Sequence, residues 1–183
     1  MKNGRMEREP NKGKAYTAKD CAYIAVFVAL VVSAQLVFSA IAGVEVVTIL
    51  FVSFAFTFGV GRGILSGITF SLVRQLVFGV DLKVLVLYLI YYTILTTVFG
   101  FLGGKISEPK EKMPLLIVIA CACTICFTLI DNVLTPLWYG YSKRTAWLYF
   151  KYSLPVVIPQ TVCTGLTTAF LFLPLRKVFS SFA

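Results

Sequence analysis

The sequence predicts an all-α integral membrane protein, folded as a bundle of six transmembrane helices with both termini in the cytoplasm. Composition is the first reason: apolar residues make up 58% of the chain and charged residues 14%, against roughly 45–50% and about 25% in soluble domains. Length is the second, because 183 residues accommodate six spans of about 20 residues with short loops. The third is the unequal distribution of lysine and arginine between the predicted loops.

The first half of the chain holds a tail and three spans. Residues 1–19 are polar and carry six basic side chains, so they are predicted to form a cytoplasmic tail. The first span is predicted at 20–43, a run that is too long for a signal-peptide core and lacks a small-residue cleavage site. The second and third spans, 44–59 and 63–79, are short, about 24–26 Å as helices. They are expected either to stand upright in a thinned bilayer or to form a re-entrant pair.

The second half holds longer apolar runs, predicted as spans at 82–103, 114–138 and 146–175. The last run contains three prolines, Pro155, Pro159 and Pro174. Because proline removes a helical hydrogen bond and clashes with the preceding turn, the sixth helix is expected to be kinked or broken. The predicted organisation is thus the tail, a transmembrane substrate-binding domain at 20–178, and a short cytoplasmic end at 179–183.

The charges predict the orientation of the bundle. With both termini in the cytoplasm, twelve basic residues fall on the cytoplasmic side and four on the other, while Arg74 lies within the membrane. Such an excess marks the cytoplasmic face of a membrane protein. Nucleic-acid binding is not expected, because no stacking platform or DNA-binding motif accompanies the basic tail. The expected location is a cell membrane.

Several classes of activity have no support in the residues. The chain has no G-x-x-x-x-G-K-[ST] phosphate loop, so active transport would draw its energy from a partner or an ion gradient. It has no histidine, and the cysteines of the CACTIC segment would point to different sides of a helix, which argues against a tetrahedral zinc site. No nucleophile with a base and no acid–base pair stands out. We therefore expect no enzyme activity, no metal and no cofactor.

Arg74 and Asp131 are the two charges deepest in apolar sequence. Each lies about 7.5 Å below the outer end of its predicted helix, and both should face the protein interior because a charge facing lipid is costly. They are expected to form a structural ion pair, to bind a ligand, or to do both through a bridging polar ligand. Asn132 and Gln160 add polar groups to this region. The fifth helix continues the polar stripe with Thr124, Thr128 and Thr135.

Aromatic side chains are concentrated near the outer ends of the fourth, fifth and sixth helices. An interfacial belt explains many of them. Their density also indicates a pocket with aromatic walls that accepts a flat heterocycle. The predicted substrate-binding residues are Arg74, Tyr91, Asp131, Asn132, Trp138, Tyr139 and Gln160.

The first span carries a stripe of small residues, spaced four, three and four apart. Its members are Ala18, Ala22, Ala25 and Ala29. Such a stripe lets another helix approach the backbone closely. It predicts a partner interface, with ordinary packing inside the bundle as the alternative.

Three further segments stand out along the predicted helices: GVEVVTILFVSFAFTFGVGRG, LTPLWYG and LPVVIPQ. Together with the basic tail, the alanine stripe and the six short helices, they resemble the substrate-binding S component of energy-coupling factor (ECF) transporters. The resemblance covers roughly residues 15–178. It implies a membrane protein that captures a vitamin or related micronutrient from outside. It also implies that the alanine stripe docks on a transmembrane coupling subunit, that two ATPase subunits complete the complex, and that the S component topples in the membrane.

The identity of the ligand stays open at this point. The GVEVVT segment resembles corrinoid-handling members of the family, and the tryptophan after the fifth helix resembles the folate-type members, but neither pattern is complete. The absence of histidine disfavours the nickel and cobalt branch. We expect a B-group vitamin or a similar heterocycle. Two alternatives are a stand-alone ion-gradient carrier, with Asp131 as its coupling carboxylate, and a non-transporting membrane scaffold.

Overall fold

A computed structural model describes residues 16–40 and 46–182, which form six α-helices and no β-strand. The helices are α1 (Ala18–Phe38), α2 (Val47–Phe58), α3 (Val60–Phe78), α4 (Leu82–Lys105), α5 (Met113–Trp138) and α6 (Lys143–Ser180). Of these described helices, α1, α4, α5 and α6 are long and apolar enough to cross a membrane. The predicted all-α membrane bundle is confirmed. Residues 1–15, which make up most of the predicted tail, lie outside the described residues.

Side-chain caps set several helix starts. Helix α1 begins two residues before the predicted span, because Thr17 and Asp20 form a capping box. Helix α4 begins at the predicted residue, and the Asp81 carboxylate accepts a hydrogen bond from the Val84 amide. Helix α6 begins earlier than predicted, because the Ser142 hydroxyl caps it.

Successive helices run in opposite directions, so their links alternate between two ends of the bundle. The start of α1, the α2–α3 link, the α4–α5 link and the end of α6 share one end, which we call the inner end. There Arg62 forms a 2.7 Å ion pair with Asp20, and the rings of Tyr23 and Phe182 lie 6.4 Å apart. The opposite end, with the α3–α4 and α5–α6 links, is called the outer end.

Helices α2 and α3 form an antiparallel hairpin in the middle of the bundle. A single residue separates them, Gly59, whose φ of 85° is a conformation that glycine adopts without strain. Ten of the 12 residues of α2 are buried. The helix is about 18 Å long, short of the roughly 30 Å hydrocarbon core, but its neighbours surround it. Because Arg62 reaches the first turn of α1, the turn of the hairpin lies at the inner end of the bundle.

Glycines bring α4 into backbone contact with this hairpin. A Cβ atom at Gly100 would lie 2.6 Å from the backbone nitrogen of Val60. A Cβ atom at Gly103 would lie directly against the carbonyl oxygen of Phe56. Small residues that permit such contacts are the main packing device of membrane helices, because lipid is as apolar as the side chains.

Helix α6 runs without a break from Lys143 to Ser180, through all three of its prolines. Of the two alternatives, a kink or a break, the break is therefore wrong. Membrane helices tolerate proline where neighbouring groups satisfy the freed carbonyls. At 38 residues the helix is about 57 Å long, so it extends beyond a single bilayer core.

Candidate functional site

The Asp131 carboxylate is the centre of a polar cluster near the outer end. Its Oδ1 atom accepts hydrogen bonds from Lys83 Nζ at 3.0 Å and from the Thr135 hydroxyl at 2.8 Å. Its Oδ2 atom accepts the Tyr149 hydroxyl at 2.5 Å. The side chains of Lys83 and Asp131 are 13% and 20% exposed, so this ion pair is largely buried. Three helices therefore meet at one carboxylate.

Local structure explains how these groups converge. Asp131 and Thr135 are four residues apart on α5, so they share one face of the helix. Lys83 lies in the first turn of α4, directly after the Asp81 cap. Tyr149 lies early in α6, where the chain has just turned back towards α5. The cluster thus ties the outer ends of α4, α5 and α6 together.

A cavity of about 290 Å³ lies beside this cluster, between α5 and α6. Its lining combines aromatic, hydroxyl, amide and carboxylate groups. The lining residues are Phe127, Thr128, Asp131, Tyr149, Tyr152, Ser153, Val156 and Gln160. Small-molecule pockets usually measure roughly 300–1,000 Å³ and combine apolar walls with a few polar groups. This cavity has that character at the lower end of the size range, and we call it the α5–α6 cavity.

Asn132 supports the wall of the cavity from behind. Its side-chain amide donates to the Ser153 hydroxyl at 2.8 Å. Its Oδ1 atom is buried and has no hydrogen-bond partner within the described part of the chain. A buried carbonyl oxygen without a partner costs free energy and is uncommon in folded proteins. This oxygen lies behind the wall, because Asn132 is not among the residues that line the cavity.

Towards the inner end, the threonines of the predicted polar stripe join α5 to α6. The hydroxyls of Thr124 and Thr164 lie 3.0 Å apart, and both residues are buried. This contact closes the bundle below the cavity. Thr128, by contrast, lines the cavity. The polar stripe on α5 therefore contributes both to helix packing and to the cavity wall.

Arg74 does not pair with Asp131, whose cationic partner is Lys83. Its guanidinium group lies between two rings, 4.9 Å from the centre of Phe78 and 4.8 Å from that of Tyr88. Its Nε atom is buried without a hydrogen-bond partner among the described residues. The expected ion pair of the two deep charges is therefore wrong. The position of each charge along its helix could be inferred from the sequence. The side of the helix on which it lies could not.

The predicted aromatic residues occupy three different places. Tyr91 is buried behind the cavity, with its ring 4.8 Å from that of Phe127, which lines the wall. Trp138 and Tyr139 are exposed at the end of α5 and lie outside the α5–α6 cavity. Tyr139 stacks on Tyr141 with ring centres 6.0 Å apart. These two positions suit an interfacial belt.

Of the seven predicted binding residues, Asp131 and Gln160 line the cavity, and Asn132 and Tyr91 lie directly behind it. Sequence reasoning missed Lys83, Tyr149 and Ser153. Lys83 lies inside the predicted span 82–103 and in the first turn of α4, but it was counted only as one of the four basic residues of the outer side. No sequence signal distinguished Tyr149 from the other tyrosines near the α5–α6 link.

The alanine stripe faces outwards along α1. All four alanines are exposed, in contrast to the buried face of the same helix. The inner end of the stripe is held in place by Asp20, which accepts the Thr17 amide at 2.9 Å and binds Arg62. These residues therefore do not pack inside the bundle, which was the alternative. The stripe is a flat outer surface of a capped helix.

No group of three or more acidic, cysteine or histidine side chains among the described residues could hold a metal ion. Comparisons with protein-family models, curated proteins and solved structures find no match for the chain. The described residues present two candidate surfaces: a mainly apolar cavity with one carboxylate near the outer end, and a flat surface of small residues along α1.

Proposed function

We propose that this protein is the substrate-capturing subunit of an ECF-type importer in a prokaryotic plasma membrane. The observation that carries the proposal is the α5–α6 cavity, a site of about 290 Å³ near the outer end that combines aromatic walls with a carboxylate and an amide. Such a site suits a small heterocycle. The outer end faces the cell exterior in this proposal, because the basic loops gather at the inner end.

The size of the cavity narrows the class of solute. It is about as large as the smallest usual ligand pockets, so it suits a solute with one or two rings. A corrinoid, with its large macrocycle, would exceed this space. The proposal therefore favours a small B-group vitamin or a nucleobase-like heterocycle over the corrinoid suggested by the GVEVVT segment.

The exposed alanine stripe supports the second half of the proposal, docking on a transmembrane coupling subunit. Small side chains expose the backbone of α1 and let a partner helix approach closely. All four members are exposed although the helix has a well-buried opposite face. Two ATPase subunits would supply the energy, which this chain has no phosphate loop to provide.

Solute capture is tested by the thermal stability of the purified protein in detergent with a panel of B-group vitamins, nucleobases and corrinoids. A ligand at a thousandfold its dissociation constant should add about 4 kcal/mol to the free energy of unfolding, which is a clear melting shift. A stabilising one- or two-ring solute supports the proposal. A flat panel would contradict solute capture and favour the scaffold hypothesis.

Docking is tested separately with Ala25→Trp, which places a large ring on the stripe. The variant should bind its solute as the wild type does, but lose co-purification with the coupling subunit and lose uptake. The matched control is Leu30→Trp, at an exposed position roughly 140° away around the same helix, which should keep both. Uptake that persists in Ala25→Trp, or that proceeds without ATPase subunits, would favour the gradient-driven carrier.

A further inference from the structure

The α5–α6 cavity presents negative charge without a positive counterpart on its wall. Asp131 is its one charged lining residue, and no lysine or arginine is among the described residues that line it. Lys83 reaches the same carboxylate from the α4 side and does not line the cavity. A solute inside the cavity therefore meets the carboxylate before it meets the ammonium group.

The hydrogen-bonding groups of the wall are partly used within the protein. Tyr149 and Thr135 donate their hydroxyl protons to Asp131, and Ser153 donates to the Phe150 carbonyl. The Asn132 amide donates to Ser153, which leaves the buried Oδ1 atom of Asn132 as an acceptor without a partner in the described chain. Tyr149 and Ser153 thus use their hydroxyl protons within the protein, whereas the lining residues Thr128, Tyr152 and Gln160 can donate to a solute or accept from it. The hydrogen-bonding groups are therefore neutral towards the charge of the solute, and Asp131 sets the sign.

The aromatic part of the lining has matching chemistry. Phe127, Tyr149 and Tyr152 contribute rings to the cavity. The faces of aromatic rings attract cations, because the ring quadrupole places negative charge on the face. A positively charged nitrogen in this cavity would be attracted both by the carboxylate charge and by the faces of the neighbouring rings.

We propose that the solute of this site is a cation, a one- or two-ring heterocycle whose positive charge binds at Asp131 and replaces Lys83 there. This inference rests on the proposed function and names the charge class of its ligand. Lys83 is the internal counterion of the empty site, since a carboxylate left without one at this depth would be costly. The entering cation takes over that role, and the ammonium group of Lys83 turns away.

The competing possibility is an anionic solute that binds Lys83 after displacing Asp131. The two models predict opposite effects of the same substitutions. For a cation, removal of the Asp131 charge weakens binding and removal of the Lys83 charge strengthens it. For an anion, the two effects are reversed.

The first experiment compares probes of one shape and three charges by their effect on the melting temperature of the wild-type protein. The cation 1-methylnicotinamide, the neutral nicotinamide and the anion nicotinate form one such series, and thiamine and the other B-group vitamins extend the panel. The proposal expects that the stabilising probes are cations. Stabilisation by neutral or anionic probes alone would overturn it and leave the proposed function standing. A panel without any stabilising probe would overturn both.

The second experiment measures, by calorimetry, how three variants bind the strongest probe of the panel. Asp131→Asn should weaken binding of a cation at least about 30-fold, the usual result when one partner of a buried charge pair is removed. Lys83→Gln keeps a hydrogen bond to Asp131 but removes the competing charge. If Lys83 occupies the carboxylate in about nine of ten molecules, the variant should bind up to about tenfold more tightly. Lys151→Met, at an exposed lysine outside the cavity, is the matched control and should bind as the wild type does.

The double substitution of Lys83→Gln with Asp131→Asn guards against misfolding, because it removes both charges together. Its melting temperature without ligand should return towards that of the wild type, while its affinity for a cation stays low. Weaker binding of the probe by Lys83→Gln in a folded protein, or unchanged binding by Asp131→Asn, would overturn the proposal.

Discussion

Two regions of this bundle are held together in different ways. Around the α2–α3 hairpin the buried residues are mainly apolar, and the largest of them, such as Phe51, Phe70 and Phe99, have no exposed surface. Between α5 and α6 the buried residues are mostly polar: Thr124, Asn132, Thr135, Thr164 and Thr168. The first region is tightly packed, whereas the second borders the partly open α5–α6 cavity, whose lining includes the exposed Tyr152 and Val156.

The difference shows how a small membrane protein separates its scaffold from its site. In a bilayer, apolar side chains gain little by leaving lipid, so helices associate through close packing and interhelical hydrogen bonds. The hairpin region uses packing, with glycines that let backbones touch. The α5–α6 region uses hydrogen bonds, which leave space between the helices and polar atoms around it. Four substitutions test this distinction, from the largest expected effect to the smallest.

Phe51→Ala should be the most damaging substitution, because it removes a ring from the centre of the packed region. The ring lies 4.4 Å from that of Tyr92 and 5.3 Å from that of Phe70. The expected loss is about 4 kcal/mol of unfolding free energy, as for other large-to-small changes in cores. Thermal denaturation in detergent measures it. Phe101→Ala, on the exposed side of α4, is the control, and an equal loss there would show that the core position is not special.

Gly103→Ala should destabilise the protein by about 3 kcal/mol, since the added methyl group meets the Phe56 carbonyl and the two backbones must separate. The adjacent Gly104→Ala is a close control, because nothing lies within 4 Å of its Cβ position. That control should be neutral or stabilising, as alanine is the better helix former. A melting shift of the same sign and size in both variants would contradict close packing at Gly103.

Lys83→Met should lower the free energy of unfolding of the ligand-free protein by about 2 kcal/mol, because it leaves the largely buried Asp131 carboxylate without its counterion. The double variant with Asp131→Asn should recover most of this loss. Chemical or thermal unfolding of both variants checks the expectation. An unchanged melting temperature in Lys83→Met would mean that the ion pair does not hold α4 and α5 together.

Thr124→Val should have the smallest effect, a loss of about 0.6 kcal/mol, the average for side-chain hydrogen bonds between membrane helices. Its partner across the α5–α6 contact is Thr164, at 3.0 Å. A double-mutant cycle with Thr164→Val isolates the coupling between the two hydroxyls. Additive effects of the two substitutions would show that the hydroxyls do not interact.

The site was partly predictable from the sequence. Asp131 and Gln160 stood out because charged and amide side chains are rare in apolar helices, and both line the cavity. The pairing of Arg74 with Asp131 failed, because equal depth along two helices leaves their rotation unknown. Arg74 instead lies against two rings, a contact that hydropathy does not reveal. Lys83 lies in the predicted fourth span and was counted among the basic residues of the outer side, but its role as the counterion of Asp131 was not predicted.

Composition, the length of the apolar runs and the basic loops were enough to predict an all-α membrane bundle, because these properties reflect the cost of exposing backbone and charge to hydrocarbon. Tertiary structure alone decided which charge pairs with which, that α6 continues through its prolines, and where the chain leaves a cavity. The physical reason is that such choices depend on helix rotation and on contacts of a few ångströms between distant residues. Hydropathy is an average over the residues of a segment, so it does not show which distant residues come into contact.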